Sequence, residues 1–121
     1  MRKVRVLVAD DDKMNRIMIS RLIEKIGAEC KTADDGKSAM EMSRSDVFDI
    51  IFLDFNMPVF SGEECARMIK SEYTERDVKM PLVVGISADE EHSENPLFDK
   101  FLTKPFTLVM LQEIINDEGD V

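Results

Sequence analysis

The chain opens on an apolar run. Val4 to Ala9, VRVLVA, is rich in β-branched residues and ends in three aspartates, Asp10 to Asp12. A run of that kind predicts a strand covered on both faces. From Lys13 the period changes. Apolar residues recur at Met18, Leu22 and Ile26, with Ile19 and Ile23 beside them, and this predicts a helix over Lys13–Ile26. Asp12 offers an N-cap and Gly27 a C-terminal stop. The alternation then repeats. Glu29–Thr32 reads as a short strand, Asp35-Gly36 as a turn, and Lys37–Ser43 as a short helix carrying Ala39, Met40 and Met42. Ile50–Leu53 is a third strand, Ser61-Gly62 a loop signal, and Glu63–Lys70 a helix with Cys65, Ala66, Met68 and Ile69. Pro81 opens a fourth strand, Leu82–Ile86, and Lys100–Leu102 is a short fifth. Thr107 caps a last amphipathic helix, Leu108–Asn116, with Leu108, Leu111, Ile114 and Ile115 on one side. Between Asp89 and Asp99 the pair Asn95-Pro96 limits any helix to one or two turns.

Strands alternating with helices through short loops predict an α/β fold, a parallel sheet with helices on both faces. The length of 121 residues suits one domain with one hydrophobic core, spanning residues 1–121. Hydrophobic residues at 44% and charged residues at 34% place the chain among globular rather than disordered proteins. No apolar run approaches the roughly 20 residues that span a bilayer, and the basic start reaches aspartates too soon for a secretory signal. The expected location is therefore the cytoplasm. A net charge of −9 repels phosphate backbones and anionic lipids, which argues against direct binding to nucleic acid or membrane. Cys30 and Cys65 are expected to be buried free thiols rather than a disulfide, and one histidine without Cys/His clustering argues against a zinc site.

The chemistry gathers where the strands stop. In an open parallel sheet the site lies beyond the carboxyl ends of the strands, at the point where strand order reverses. Asp10 and Asp11 follow the first predicted strand, Asp54 the third, Ser87 the fourth and Lys104 the fifth. Taken alone, an aspartate after a strand is a turn residue or a helix cap as readily as a ligand. Ser87 alone is a turn hydroxyl and Lys104 alone a solvated charge. Together they form a constellation. Three carboxylates at one rim repel unless a proton or a cation intervenes. Mg²⁺ takes oxygen ligands, keeps several waters and sits on one or two carboxylates plus a phosphate. Asp11 and Asp54 are the candidate direct ligands, Asp10 acts through water, and the Asn56 backbone carbonyl completes the protein's share. Mn²⁺ is the alternative ion.

The segments VLVADDDKMNR (Val6 to Arg16), DIIFLDFNMPVFSG (Asp49 to Gly62), VVGISAD (Val83 to Asp89) and FDKFLTKPF (Phe98 to Phe106) together resemble the receiver domain of response regulators, the CheY-like family of two-component and phosphorelay signalling. They run in order along essentially the whole chain, and as a set they are specific. The resemblance implies a flavodoxin-like (βα)5 three-layer sandwich with a central five-stranded parallel sheet. It implies that Asp54 is the phosphoacceptor, that Asp10 and Asp11 are the acidic pair holding Mg²⁺, and that Asn56 lends its main-chain carbonyl. Ser87 and Lys104 would each meet a phosphoryl oxygen, and Phe101 would occupy the aromatic switch position, turning inward as the hydroxyl moves. Ser87 and Phe101 stand where threonine and tyrosine are commoner. Only 16 residues separate Ser87 from Lys104, so the fourth helix is expected to be short or irregular, which puts an ordinary dimer through that face in doubt. A monomer or weak dimer without an output domain is the expectation. The domain would catalyse its own phosphorylation and dephosphorylation, and is not expected to be a metabolic enzyme.

Asn56 and Asp89, two residues beyond Asp54 and Ser87, are positioned to steer or obstruct a hydrolytic water and so to tune the lifetime of the acyl phosphate. On the first helix Met14 and Ile17 lie near the acidic end, with Arg21 on the same face. They are either the edge of the core or a docking patch for a histidine kinase or histidine phosphotransfer protein, with a downstream protein target receiving the signal. Other readings meet obstacles. A haloacid-dehalogenase-type phosphatase would want a second aspartate where Asn56 stands. In a flavodoxin, Asp10 to Asp12 would repel the FMN phosphate. The P-loop motif is absent. The remaining alternative is a phosphorylation-independent receiver-like interaction module, which would normally lack one of the five key groups.

Overall fold

The computed structural model describes residues 3–55, 57, 60–87, 95–103 and 107–119. Its elements are β1 (Arg5–Ala9), α1 (Lys13–Ile26), β2 (Glu29–Ala33), α2 (Gly36–Ser45), β3 (Ile50–Asp54), α3 (Gly62–Arg76), β4 (Leu82–Ser87), β5 (Lys100–Thr103) and α4 (Leu108–Gly119). The strands pair in parallel in the order β2-β1-β3-β4-β5. This is the parallel α/β sheet that the alternating runs predict, with the flavodoxin-like architecture that the resemblance implies.

The two faces of the sheet make two cores, because successive side chains along a strand point to opposite faces. Leu7, Ala9, Ile51, Leu53 and Val83 pack with Ala39 and Met40 of α2 and with Cys65, Ala66, Ile69 and Tyr73 of α3. Val6, Val8, Ile50, Phe52, Val84 and Ile86 pack with Ile19 and Ile23 of α1 and with Leu111, Ile114 and Ile115 of α4. Interior strands β1, β3 and β4 therefore read as continuous apolar runs. Edge strand β2 exposes Glu29, Lys31 and Thr32, and charge on an edge discourages pairing with another chain.

Local chemistry explains the helix ends. Asp12 caps α1 by accepting from the Met14 and Asn15 amides at 2.9 and 3.3 Å, and Gly27 ends it at φ 104°. The Thr107 hydroxyl accepts from the Met110 amide at 3.3 Å, as expected of a cap.

Four expectations are corrected. On α1, Ile19 and Ile23 are fully buried, while Leu22 and Ile26 are half-buried and Met18 is 48% exposed. The sheet thus meets the stripe beside the one that spacing emphasised. Asp35-Gly36 is not a free turn, since Asp35 caps α2 through the Ser38 amide at 2.7 Å and Gly36 begins the helix. Likewise Ser61-Gly62 opens α3, with Ser61 and Glu64 bonding each other's backbone in a capping box. Finally, α3 runs to Arg76, six residues past the expected end at Lys70. Its polar tail stays helical because Tyr73 is fully buried and its hydroxyl accepts the Phe48 amide at 3.0 Å. The short or irregular fourth helix expected before β5 falls largely on residues 88–94, outside the described residues.

The end of α3 is the one described non-glycine position in the left-handed region, Asp77 at φ 54°. That conformation costs an L-residue roughly 1 kcal/mol, and a carboxylate also opposes the negative end of the helix dipole. Asp77→Gly is expected to raise stability by about 0.5–1 kcal/mol, read as a higher urea midpoint at unchanged slope.

At the amino-terminal rim of the sheet, both guanidinium Nη atoms of Arg5 donate to the Asp46 carboxylate. Lys31 adds a third bond at 3.2 Å, while the Arg5 amide donates to Asp49 Oδ2 and the Asp49 amide donates to the Arg5 carbonyl, each at 2.8 Å. These hydrogen bonds, Arg5 first, hold the Asp46 carboxyl well below the usual carboxylate range. A depressed folded-state pKa stabilises the fold above the unfolded aspartate value of about 3.9, and that contribution fades as pH falls below it. Asp46→Asn should therefore cost about 1 kcal/mol at pH 7, with the gap to wild type closing as urea titrations move below about pH 4.

Candidate functional site

Strand order places the crevice. The chain leaves β1 toward β2 on one side and returns to β3 on the other, so the carboxyl ends of β1 and β3 flank the point of reversal. Register then aligns the chemistry. Ala9 pairs with Leu53, Asp54 with Ile86, and Ser87 with Thr103. Asp10, Asp54 and Ser87 consequently end three neighbouring strands at one rim.

Asp10 is fully buried, Asp54 is 6% exposed and Ser87 4% exposed, while Asp11 is exposed. One carboxylate oxygen from each of Asp10, Asp11 and Asp54 lies within 4.8 Å of the others. The loop that carries the pair is held by its own backbone. The Asp10 amide donates to the Ala33 carbonyl at 3.1 Å, its Oδ1 accepts from the Asp12 amide at 2.9 Å, and its carbonyl accepts from Arg16 Nη1 at 2.7 Å. Hence Asp10 faces its neighbours with a fixed backbone.

Three carboxylates so close, two of them buried, repel strongly at neutral pH unless positive charge is shared among them. The donor set is all oxygen, with no histidine or thiolate in the group. That chemistry suits a hard divalent cation rather than zinc or copper.

The seat of Asp54 depends on Gly62, which along the sequence is only a loop signal. A Cβ on Gly62 would lie 2.4 Å from the Asp54 carbonyl oxygen and 3.0 Å from the Phe55 Cα. The Gly62 amide donates to the Phe55 carbonyl at 3.2 Å, and the Phe55 amide donates to the Ile86 carbonyl at 3.0 Å. The first turn of α3 thus rests directly on the phosphoacceptor candidate's backbone. Gly36 does the same for the returning loop, since a Cβ there would lie 2.3 Å from the Phe60 carbonyl oxygen. The spacing of glycines from Asp54 was the available signal, but close approach between distant segments is not written in local pattern.

Phe101 is half-buried on β5, and its ring stacks on Phe55 with centroids 5.7 Å apart. Lys104, Asn56 and Asp89 lie outside the described residues. On α1, Met14 is 74% exposed, Arg21 is exposed and Ile17 half-buried, so Met14 is no part of the core edge. Cys65 is buried and Cys30 only half-buried, and both are free thiols that burial pushes up to about 12. No helix among the described residues is long and apolar enough to cross a membrane.

Comparison with known proteins agrees with this geometry. The chain is 32% identical over 118 residues to hybrid signal transduction histidine kinase F of Dictyostelium discoideum, a match covering 93% of this chain and 11% of that protein. It spans 6% to 11% of the length of the Dictyostelium hybrid kinases that it matches. The receiver domain of Francisella response regulator 1452 superposes with a TM-score of 0.83 at 29% identity, covering 98% of each chain. Response regulator TrrA of Thermotoga maritima, solved in complex with Mg²⁺-BeF, superposes at 0.82 with 26% identity, covering 95% of this chain and 98% of that one. The family model for the response regulator receiver domain matches residues 6–116. With that match running from β1 into α4 and the acidic rim in place, the chain belongs to the response regulator receiver domain family.

Proposed function

We propose that this domain is a phosphoacceptor in which Asp54 takes a phosphoryl group from a phosphohistidine on a histidine kinase or histidine phosphotransfer protein. The observation that carries this reading is the convergence of the Asp10, Asp11 and Asp54 carboxylates within 4.8 Å at the crevice of the sheet. Membership of the receiver family and similarity to hybrid kinases support it.

In the reaction, an Asp54 carboxylate oxygen attacks phosphorus, the P–N bond to the donor imidazole breaks, and its electron pair returns to the ring nitrogen, which takes a proton from solvent. Burial of Asp54 limits its competing hydration. Asp11 and Asp54 would hold Mg²⁺ directly, Asp10 through water and Asn56 by its carbonyl, and the same oxygen set suits Mn²⁺. Mg²⁺ when bound offsets the negative charge shared by carboxylates and phosphoryl oxygens. Ser87, at the neighbouring strand end, donates its hydroxyl to one phosphoryl oxygen, and Lys104 pairs with another. Asn56 and Asp89 govern how long the acyl phosphate survives.

The test is an intact-mass spectrum after incubation with acetyl phosphate. One added phosphoryl group, present with Mg²⁺ and absent with chelator, is the expected result. No adduct under either condition would leave a phosphorylation-independent interaction module as the better description.

The donor's docking surface on this reading is α1. Met14 and Met18 stand one turn apart and are 74% and 48% exposed, with Arg21 beyond them and Ile17 beside them. An apolar strip next to the acidic rim suits the helical bundle of a phosphohistidine protein. Met14→Asp is expected to slow transfer from a phosphorylated histidine phosphotransfer protein by about tenfold while leaving acetyl phosphate labelling intact, which stopped-flow transfer and mass labelling would show side by side. Output passes to a downstream protein from a monomer or weak dimer, and the free thiols fit a reducing cytoplasm.

A further inference from the structure

Strand β4 carries Val83, Val84 and Ile86 in its buried interior, and between them stands Gly85. Glycine inside a central strand forfeits packing and conformational entropy, and it commonly marks a place where something approaches the backbone closely. Here the visitors are two rings. A Cβ on Gly85 would lie 2.8 Å from Phe101 Cε1, 3.1 Å from Phe101 Cδ1 and 3.1 Å from Phe98 Cδ1. Gly85 is also the register partner of Phe101. Phe55 completes the group. Its centroid lies 4.9 Å from that of Phe98 and 5.7 Å from that of Phe101, and Phe98 and Phe101 are 5.1 Å apart. Two rings thus lie over one missing side chain, and the third, Phe55, packs on both of them and is covalently next to Asp54.

We propose that Gly85 is a positioning residue that presets Phe101 in this inward stack before Asp54 is modified, so that ring 101 does not travel when the domain is phosphorylated. The inference rests on the phosphoacceptor reading of Asp54. Its physical basis is that ring 101 already occupies the space that the absent Gly85 side chain leaves open. Phenylalanine also lacks the hydroxyl that would draw a tyrosine tip toward water or a polar partner. Phe55 stacks on the ring and Phe98 packs against it at a tilt, and the two also touch each other. This differs from the expectation that Phe101 turns inward on modification. The change on phosphorylation is carried instead by Ser87 and the backbone around it.

Phenylalanine-labelled protein observed by NMR, in Mg²⁺ alone and then in Mg²⁺ with beryllium fluoride, tests this. The expected result is Phe55–Phe101 ring cross-peaks in both states, equal within about twofold. Ring contacts that appear only with beryllium fluoride overturn the proposal. The Asp54 and Ser87 amides report separately on the phosphoacceptor reading, which fails if they do not respond, whatever the rings do. Gly85→Ala adds a second arm. Its methyl is expected to expel ring 101, abolishing the Phe55–Phe101 cross-peaks and changing the rate of acetyl phosphate labelling at least threefold, whereas in a Phe101→Ala background the same change has no ring to displace and leaves the rate where it was. An equal effect of Gly85→Ala in both backgrounds assigns the glycine to strand packing alone and overturns the positioning role. The wild-type comparison decides the matter even if the variant is unstable.

Discussion

Asp54→Ala is expected to abolish labelling by acetyl phosphate altogether, with no phosphoryl adduct in the intact-mass spectrum at any Mg²⁺ concentration. The expected effect is total because a methyl group has no lone pair to attack phosphorus. Asp10 is buried and its backbone is tied to Ala33, Asp12 and Arg16, so its carboxylate is not free to swing into the acceptor's place. Among the described residues, the exposed Asp11 is the other carboxylate of the group. Residual adduct mapping to Asp11 would show that the crevice, rather than a particular carboxylate, selects the acceptor. Urea unfolding of the variant, run beside the wild type, separates lost chemistry from a lost fold.

Gly62→Ala is the second large effect, and it acts through space rather than chemistry. The added Cβ would sit 2.4 Å from the Asp54 carbonyl oxygen and 3.0 Å from the Asp54 carbonyl carbon and Phe55 Cα. All three are backbone atoms, so no rotamer change relieves the clash and either α3 or the end of β3 must move. Overpacking of this kind costs about 1–3 kcal/mol. Movement of β3 carries Asp54 away from Asp10 and Asp11, and misplacement by about 1 Å is enough to lose roughly a hundredfold in rate. The expected outcome is a folded but less stable protein, its urea midpoint lowered, whose acetyl phosphate labelling is slowed by at least about tenfold. A variant that loses stability yet labels at the wild-type rate would show that α3 yields and β3 stays.

Much of this molecule was legible along the chain because the determinants are short-range. Apolar runs of the right length mark β1, β3 and β4, since a strand covered on both faces has no polar period to show. Asp12, Gly27 and Thr107 end their helices by contacts within a few residues. The acids at the ends of those strands follow from parallel topology, because strands that all point one way deliver their last residues to one rim.

What the linear pattern left open depends on partners far away in sequence. The last turns of α3 stay helical because Tyr73 reaches a Phe48 amide 25 positions earlier. Arg5 closes on Asp46, 41 positions later. Which stripe of α1 faces the sheet was settled by how the helix lies on β1 and β3, and Ile19 and Ile23 were chosen over Met18. Gly36 and Gly62 read as turn and loop signals and Gly85 falls inside a predicted strand, yet each is the space into which another segment fits. Local propensity is a property of a few neighbouring dihedrals, so a chain announces its elements. Contact between segments exists only once those elements have docked, and so the seat of Asp54 and the ring stack beside it belong to the folded state alone.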